Sequence, residues 1–110
     1  MPIYIPGHRL RHIEVDHCDF NSLKSQFSLH FLTNYGGLYW VADNVYRCND
    51  WMPAGVDQGV ACYAFYKNFH TETGYDNKDN VYLKGVEIIG YIDGHQFVIT
   101  TMYPCGKLCL

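Results

Sequence analysis

Three histidines, two arginines and a cysteine lie within the first eighteen residues of this 110-residue chain. His8 and His12 stand four residues apart, and Arg9 and Arg11 lie between them. Metal-independent cleavage of RNA needs such a set, because it uses a general base, a general acid and a cation beside the phosphate. One hypothesis is therefore a small, toxin-like ribonuclease with His8, Arg9, Arg11 and His12 as catalytic residues.

Side chains further along the chain could complete such a site on a sheet. The helix and antiparallel sheet expected for this chain resemble the scaffold of small bacterial ribonuclease toxins. The resemblance is one of fold alone, and no family motif is matched. The competing interpretation is that the two arginines pair with neighbouring carboxylates on a solvated surface. The residues that could complete the site are His70, His95, Thr100 and Tyr103.

A zinc site is a further alternative for the N-terminal segment. The three histidines followed by Cys18 are chemically suitable ligands, but their spacing matches no usual zinc pattern. Glycine-rich phosphate-binding loops and the common hydrolase motifs are also missing from the sequence. We therefore expect neither a metal nor a cofactor, and an enzyme is the less favoured class.

Aromatic residues suggest a different function, since the chain contains 10 Tyr, 6 Phe and 2 Trp. A small domain has little room to bury so many rings, and exposed tyrosine and tryptophan often anchor protein interfaces. Aspartates beside Trp51 would give such a surface an acidic rim, which favours a basic partner. The predicted binding residues are Tyr39, Asp43, Tyr46, Asp50, Trp51, Met52 and Asp57.

Charge and composition make protein binding the favoured function. The chain has 8 basic and 11 acidic side chains, a net charge of −3, which argues against direct binding of nucleic acid. A small, acidic, motif-free protein fits an inhibitor, as many phage-encoded proteins are. We therefore expect a non-catalytic domain whose partner is another protein, such as one with a basic nucleic-acid-binding surface, and the ribonuclease is the alternative.

Hydropathy and cysteine usage indicate the compartment. No apolar run reaches about 18 residues and no secretory leader is recognisable, so we expect a cytoplasmic protein without a membrane segment. Five cysteines, an odd number without Cys-x-x-Cys spacing, favour reduced thiols. A disulfide between Cys105 and Cys109 stays open, because spacing alone cannot show its geometry.

The elements that must position these residues form an α+β pattern in one domain, residues 1–110. Residues 9–16 alternate in polarity and contain β-branched side chains, which predicts an extended segment. One helix is predicted from a cap at Asn21 or Ser22 to about residue 34, with an apolar stripe at three- and four-residue steps. Residues 38–46 and 60–66 are predicted strands, and 48–57 and 68–80 are predicted loops.

The clearest signal is a C-terminal β-hairpin, because Asp93-Gly94 separates two β-type runs. A turn at those two residues would pair Ile92 with His95 and place Phe97 over the bare Gly90. The predicted core face of the hairpin consists of Val86, Ile88, Phe97 and Ile99. The expected architecture is a single helix packed on an antiparallel sheet of four or more strands.

Overall fold

The computed structural model describes residues 1–18 and 24–106 and has an α+β fold. Three helices lie among them, so the prediction of a single helix is wrong. The helices are α1 (Gly7–His17), α2 (Leu29–Asn34) and α3 (Leu38–Arg47). The strands are β1 (Ile3–Tyr4), β2 (Gln26–Phe27), β3 (Trp51–Asp57), β4 (Val60–Asn68), β5 (Gly74–Asp76), β6 (Val81–Leu83), β7 (Gly85–Asp93) and β8 (Gln96–Cys105).

The strands form two sheets. The larger has five strands in the order β1-β8-β7-β4-β3, and the smaller has three in the order β2-β5-β6. Strands β3, β4, β7 and β8 make an antiparallel meander, and β1 joins its edge parallel to β8. The predicted antiparallel sheet of four or more strands is thus present, with a short parallel strand added at one edge.

The N-terminal segment is a helix, and its predicted extended conformation is wrong. Helix α1 begins after Pro6, whose carbonyl accepts hydrogen bonds from the N–H groups of Arg9 and Leu10, both at 2.9 Å. Ile13 and His17, four residues apart, are the buried residues of this helix. Burial of one helical face against the sheet therefore outweighs the weak helix propensity of the β-branched residues.

Residues 38–46 also fold as a helix, so the predicted strand there is wrong. Val41, Ala42 and Val45 are fully buried, and their spacing is that of one helical face. The aromatic and β-branched composition resembles a strand, but the arrangement of the buried residues is helical. Tyr39 and Trp40 are consequently displayed on the exposed side.

The predicted first helix is shorter than its apolar stripe suggests. Helix α2 begins at Leu29, where the Ser28 hydroxyl accepts a hydrogen bond from the Phe31 N–H at 3.3 Å. Gln26 and the residue after it form β2. The predicted caps at residues 21 and 22 lie outside the described residues.

Two segments predicted as loops contain strands. Strand β3 occupies most of residues 48–57, and β5 lies within residues 68–80. Proline and glycine fit into β3 because it is an edge strand and because its register shifts between Pro53 and Val56. These residues predicted a loop, but the pairing of β3 with β4 keeps the segment extended.

The C-terminal strands β7 and β8 pair as antiparallel neighbours, with a turn one residue later than predicted. Asp93 pairs with Gln96 and Ile92 with Phe97, so Gly94, at φ +60°, and His95 form the turn. The predicted pairing of Ile92 with His95 is therefore wrong. The pairing is displaced by two residues between the turn and Gly90. The register shift between Ile89 and Gly90 makes the displacement three residues beyond it, where Ile88 pairs with Met102.

The predicted core face is buried as expected. All four residues, Val86, Ile88, Phe97 and Ile99, are at most 1% exposed. A Cβ atom on Gly90 would lie 2.9 Å from the Phe97 ring, so this ring does cover the bare glycine. The helices contribute Ile13, Phe31 and the buried side of α3 to the same core.

Candidate functional site

A groove of about 460 Å³ lies where the second half of α1 approaches the end of β8 and the β5–β6 turn. Its lining includes two imidazoles, two ammonium groups, two carboxylates and three hydroxyls. These are the groups that acid–base chemistry on a phosphate requires. The lining residues are His12, Asp16, His17, Lys24, Ser25, Asp76, Lys78, Thr101 and Tyr103.

His17 is the most strongly constrained group of the groove. It lies in the last turn of α1, is 8% exposed, and its Nδ1 donates a hydrogen bond to the Ser25 carbonyl oxygen at 2.8 Å. A carbonyl only accepts, so the neutral ring carries its proton on Nδ1 and keeps a lone pair on Nε2. Burial lowers the pKa of His17, although Ser25 and Asp16 act in the opposite direction. The ring is thus suited to act as a base near neutral pH.

His12 belongs to an ion-paired cluster one turn earlier. Its Nε2 lies 2.9 Å from Oδ2 of Asp16, and the Lys24 ammonium lies 2.8 Å from the same oxygen. The hydrogen bond from Lys24 is the main reason that the pKa of Asp16 is lowered, so the carboxylate is ionised at neutral pH. An ionised carboxylate accepts a hydrogen bond from the ring N–H and thereby orients the imidazole. The His12 side chain is 55% exposed, so it is accessible to a substrate.

Strand β8 supplies the opposite wall. Tyr103 pairs with Glu87 of β7, and its hydroxyl donates a hydrogen bond to Oε2 of that glutamate. Thr101 lies two residues earlier and therefore on the same face of the strand. Lys78 enters from the β5–β6 turn, where its N–H is held by Oδ1 of Asp76 at 2.9 Å. The groove thus collects groups from a helix, a strand and a turn.

The four predicted catalytic residues are only partly brought together. His12 lines the groove, but His8, Arg9 and Arg11 do not. His8 lies one turn before His12 on α1 and is exposed, and Arg11 is exposed as well. Of the predicted catalytic residues, His12 alone therefore lines the groove, and the two arginines lie elsewhere on α1.

Of the four residues expected to complete the ribonuclease site, only one lines the groove. Tyr103 lines the groove, whereas the Thr100 hydroxyl donates to the Ile89 carbonyl at 3.0 Å and its neighbour Thr101 lines the groove instead. His95 lies in the β7–β8 turn, at the other end of β8, and His70 follows β4. Sequence reasoning considered His17 only as a possible zinc ligand. Its burial was missed because the segment was predicted to be extended, whereas Ile13 and His17 lie one helical turn apart on α1.

The N-terminal histidines do not form a metal centre with Cys18. Within residues 1–18 and 24–106, no group of three or more His, Cys, Asp or Glu side chains is arranged to hold a metal ion. Burial raises the pKa of the Cys18 thiol to about 11, which keeps it protonated at neutral pH. The disulfide between Cys105 and Cys109 that the sequence leaves open lies partly outside the described residues.

The predicted binding residues on residues 38–46 lie on α3 rather than on strands. Tyr39 is exposed and contacts Trp40 at 5.1 Å between ring centroids. Asp43 forms an ion pair with Arg47 at 2.7 Å. Tyr46 turns inward and stacks on Phe97 at 5.2 Å. These three residues therefore do not form one continuous surface.

The other predicted binding residues belong to β3 and its ends. Trp51 is 51% and Met52 48% exposed, and Asp50 and Asp57 are exposed beside them. Trp51 also borders an aromatic cleft of about 270 Å³. The cleft is lined by Tyr46, Asn49, Trp51, Tyr63, Phe65, Ile92 and Phe97. Tyr46 and Trp51 are thus the predicted residues that the fold does bring together.

Comparison with protein-family models, with curated proteins and with solved structures finds no match to this chain. None of the helices among the described residues has the length and apolarity to cross a membrane. The function must therefore be inferred from the two sites themselves, the polar groove and the aromatic cleft.

Proposed function

We propose that this protein is a metal-independent ribonuclease whose active site is the groove between α1 and β8. The observation that carries the proposal is that one groove is lined both by the oriented imidazole of His17 and by the carboxylate-paired imidazole of His12. Two imidazoles with different surroundings can divide the roles of base and acid between them. The two imidazoles therefore support a ribonuclease function more strongly than the non-catalytic protein-binding function that composition favours.

The proposed reaction is transfer of the phosphodiester to the neighbouring 2′-hydroxyl of RNA. Nε2 of His17 accepts the proton of the 2′-hydroxyl as its oxygen attacks phosphorus. As that P–O bond breaks, Nδ1–H of the His12 ring, whose Nε2 is held by Asp16, donates its proton to the leaving 5′-oxygen. The products are a 2′,3′-cyclic phosphate and a 5′-hydroxyl end. Both protons are thus accounted for without a metal ion.

Cations and hydroxyls of the groove support the same step. The ammonium group of Lys78 can neutralise the phosphate, and the hydroxyl of Thr101 can donate a hydrogen bond to one of its oxygens. The net charge of −3 opposes RNA binding over long distances, but the local field of a groove is set by the charges that line it. We therefore expect weak, salt-sensitive substrate binding.

Cleavage of a designed oligonucleotide tests the proposal. A DNA strand containing one ribonucleotide should be cut after that nucleotide in the presence of a chelator, leaving a 2′,3′-cyclic phosphate that mass spectrometry identifies. The all-DNA strand of the same sequence should stay intact, since it lacks the attacking hydroxyl. If neither strand is cut by the wild-type protein, or both are, the proposal is wrong.

A second function, binding to another protein, is supported by the half-exposed Trp51 and Met52 on β3. Exposed aspartates at both ends of the strand favour a basic partner. Because Pro53 and the bulge blunt this edge, recognition would rely on side chains rather than on added strand pairing. By analogy with small, acidic phage-encoded proteins, the second function would be that of an inhibitor that acts in the cytoplasm and binds its partner through this surface.

A capture experiment with substituted proteins tests the second function. Wild-type protein should retain a stoichiometric partner that the Trp51→Ala variant loses. Trp40→Ala is the matched control, because Trp40 is exposed to a similar extent but lies on α3, outside the aromatic cleft. Equal capture by both variants would show that β3 is not the binding surface.

A further inference from the structure

A cleft of about 210 Å³ on the small sheet contains two tyrosines. Gln26, Tyr75 and Tyr82 lie directly opposite one another on β2, β5 and β6, so their side chains leave the sheet on the same face. All three residues line this space, which we call the tyrosine cleft.

The tyrosine rings leave an aromatic face open to solvent. They meet edge to face, with their centroids 5.1 Å apart and their planes inclined by 68°, and such a contact occupies no more than one face of a ring. Tyr82 is 69% exposed and lies on an edge strand. The Tyr75 hydroxyl donates to Oδ1 of Asn80 at 3.2 Å, which holds the other ring in place. A planar group can therefore stack on Tyr82.

Charge distinguishes the tyrosine cleft from the groove between α1 and β8. Among the described residues that line the cleft, Glu72 is the one with a charged side chain, and its charge is negative. The groove is lined by the ammonium groups of Lys24 and Lys78. Because a carboxylate repels phosphate and an ammonium group attracts it, a bound nucleotide strand places its phosphate in the groove and an uncharged base in the cleft.

The tyrosine cleft adjoins the groove. Gln26 lines the cleft, and its Nε2 donates to the carbonyl oxygen of Asp16, a groove residue, at 2.7 Å. The pair of Tyr75 and Tyr82 lies one residue, about 3.4 Å along the strands, from the groove residue Asp76. Because Asp76 leaves β5 on the opposite face, the path from the groove to the rings runs over the β5–β6 turn and around the edge strand β6.

We propose that the tyrosine cleft binds a base of the RNA strand whose scissile phosphate lies in the groove. Any base can stack on Tyr82, because every base has a π-face, and the Glu72 carboxylate can accept a hydrogen bond from a base amino group. The inference deepens the ribonuclease proposal and rests on it. The substrate it names is single-stranded RNA, whose bases are free to stack on a protein ring.

Binding of a strand that cannot be cleaved tests the inference separately from catalysis. The probes are a DNA strand of five deoxyadenosines and an abasic strand of the same length and charge, both without the attacking 2′-hydroxyl. In titration calorimetry at low salt, the wild-type protein should bind the deoxyadenosine strand about fivefold or more tightly, as expected for one base stacked on an aromatic ring.

Variants of the exposed ring locate the base. Tyr82→Ala should lower the affinity for the deoxyadenosine strand to that for the abasic strand, whereas Tyr82→Phe keeps the ring and should bind like the wild type. Tyr4→Ala is the matched control, because Tyr4 is 48% exposed on β1, outside both the cleft and the groove. Equal binding of the two probes to the wild type, or the same loss in Tyr4→Ala, would overturn the inference.

Cleavage of the single-ribonucleotide strand separates the two proposals. If the wild type cuts that strand but binds both probes equally, the ribonuclease stands and the tyrosine cleft is not a base site. If the strand stays intact while binding of the base depends on Tyr82, the cleft binds a base and the ribonuclease proposal is wrong. An intact strand together with equal binding of the probes would overturn both.

Discussion

The rings of His17 and Tyr103 lie 5.7 Å apart between their centroids and are inclined by 33°. One residue ends α1 and the other lies near the end of β8, so this contact joins the two walls of the groove. Tyr103 is also bonded through its hydroxyl to Glu87 of β7. The position of the proposed base is therefore fixed by the sheet as well as by its own helix.

The stability of the protein should fall as the medium becomes mildly acidic. Burial lowers the pKa of His17 in the folded state, whereas the unfolded chain has the ordinary value of about 6.5. Below that value the unfolded state binds a proton that the folded state resists, so stability present above pH 6.5 is lost as the pH falls toward the folded pKa. Urea unfolding at pH 7.5, 6 and 5 measures this loss.

The variant His17→Asn is the control for that measurement. Its side-chain amide can still donate to the Ser25 carbonyl, but it does not titrate. The variant should lose part of the pH dependence between 7.5 and 5. Retention of the full wild-type dependence would show that another group causes it. The neighbouring groups that act on the His17 pKa are Asp16, Lys24 and His12.

Ribonuclease activity should persist into the acid range further than an ordinary histidine would allow. A general base works only when deprotonated, and the lowered pKa of His17 keeps Nε2 unprotonated below pH 6.5. The acid limb of the plot of kcat/KM against pH should therefore lie below about 6.5. An acid limb at or above that value would contradict the role of His17 as the base.

Thiol reactivity should separate two cysteines. Burial raises the pKa of Cys18 to about 11, so almost no thiolate forms at pH 8, whereas Cys48 is exposed. Iodoacetamide at pH 8 should alkylate Cys48 well before Cys18, as followed by peptide mass spectrometry. Equal rates would mean that the end of α1 opens to solvent in solution.

The variant Gly90→Ala should destabilise the fold. A methyl group at this position would collide with the Val98 carbonyl oxygen, which is backbone and cannot swing away, and would lie 2.9 Å from the Phe97 ring. We expect a loss of roughly 1–3 kcal/mol in the free energy of unfolding, as for other overpacked cores. Gly7→Ala is the matched control, because no atom lies within 4 Å of its new methyl group. Equal stability of the two variants would contradict the close packing at Gly90.

The hairpin and its core face could be predicted from the sequence, whereas the helices α1 and α3 could not. Alternation in β7 and β8 predicts which side chains form the core face. That face is buried although the pairing is displaced by two residues near the turn and by three beyond the register shift at Ile89 and Gly90. In α1 and α3, β-branched and aromatic residues favoured strands. The buried positions Ile13 and His17 show a helical spacing that depends on what each segment packs against.

The lining of the groove was predictable only in part, because some of its residues are distant in sequence and meet only in the folded protein. His12 belongs to a visible cluster of histidines and arginines, and Tyr103 was named as a residue that could join it. Lys78 and Thr101 come from a turn and a strand that only the fold brings next to α1. The local sequence around either residue contains no signal of a shared site.

The rates of three variants on the single-ribonucleotide strand test the ribonuclease proposal most directly. His12→Ala and His17→Asn should each lower kcat/KM by about 10² to 10⁴-fold, the usual contribution of a general acid or base. His8→Ala removes an exposed imidazole from the same helix, outside the groove, and should keep the wild-type rate. If all three variants cut the strand as fast as the wild type, the groove between α1 and β8 is not a ribonuclease active site.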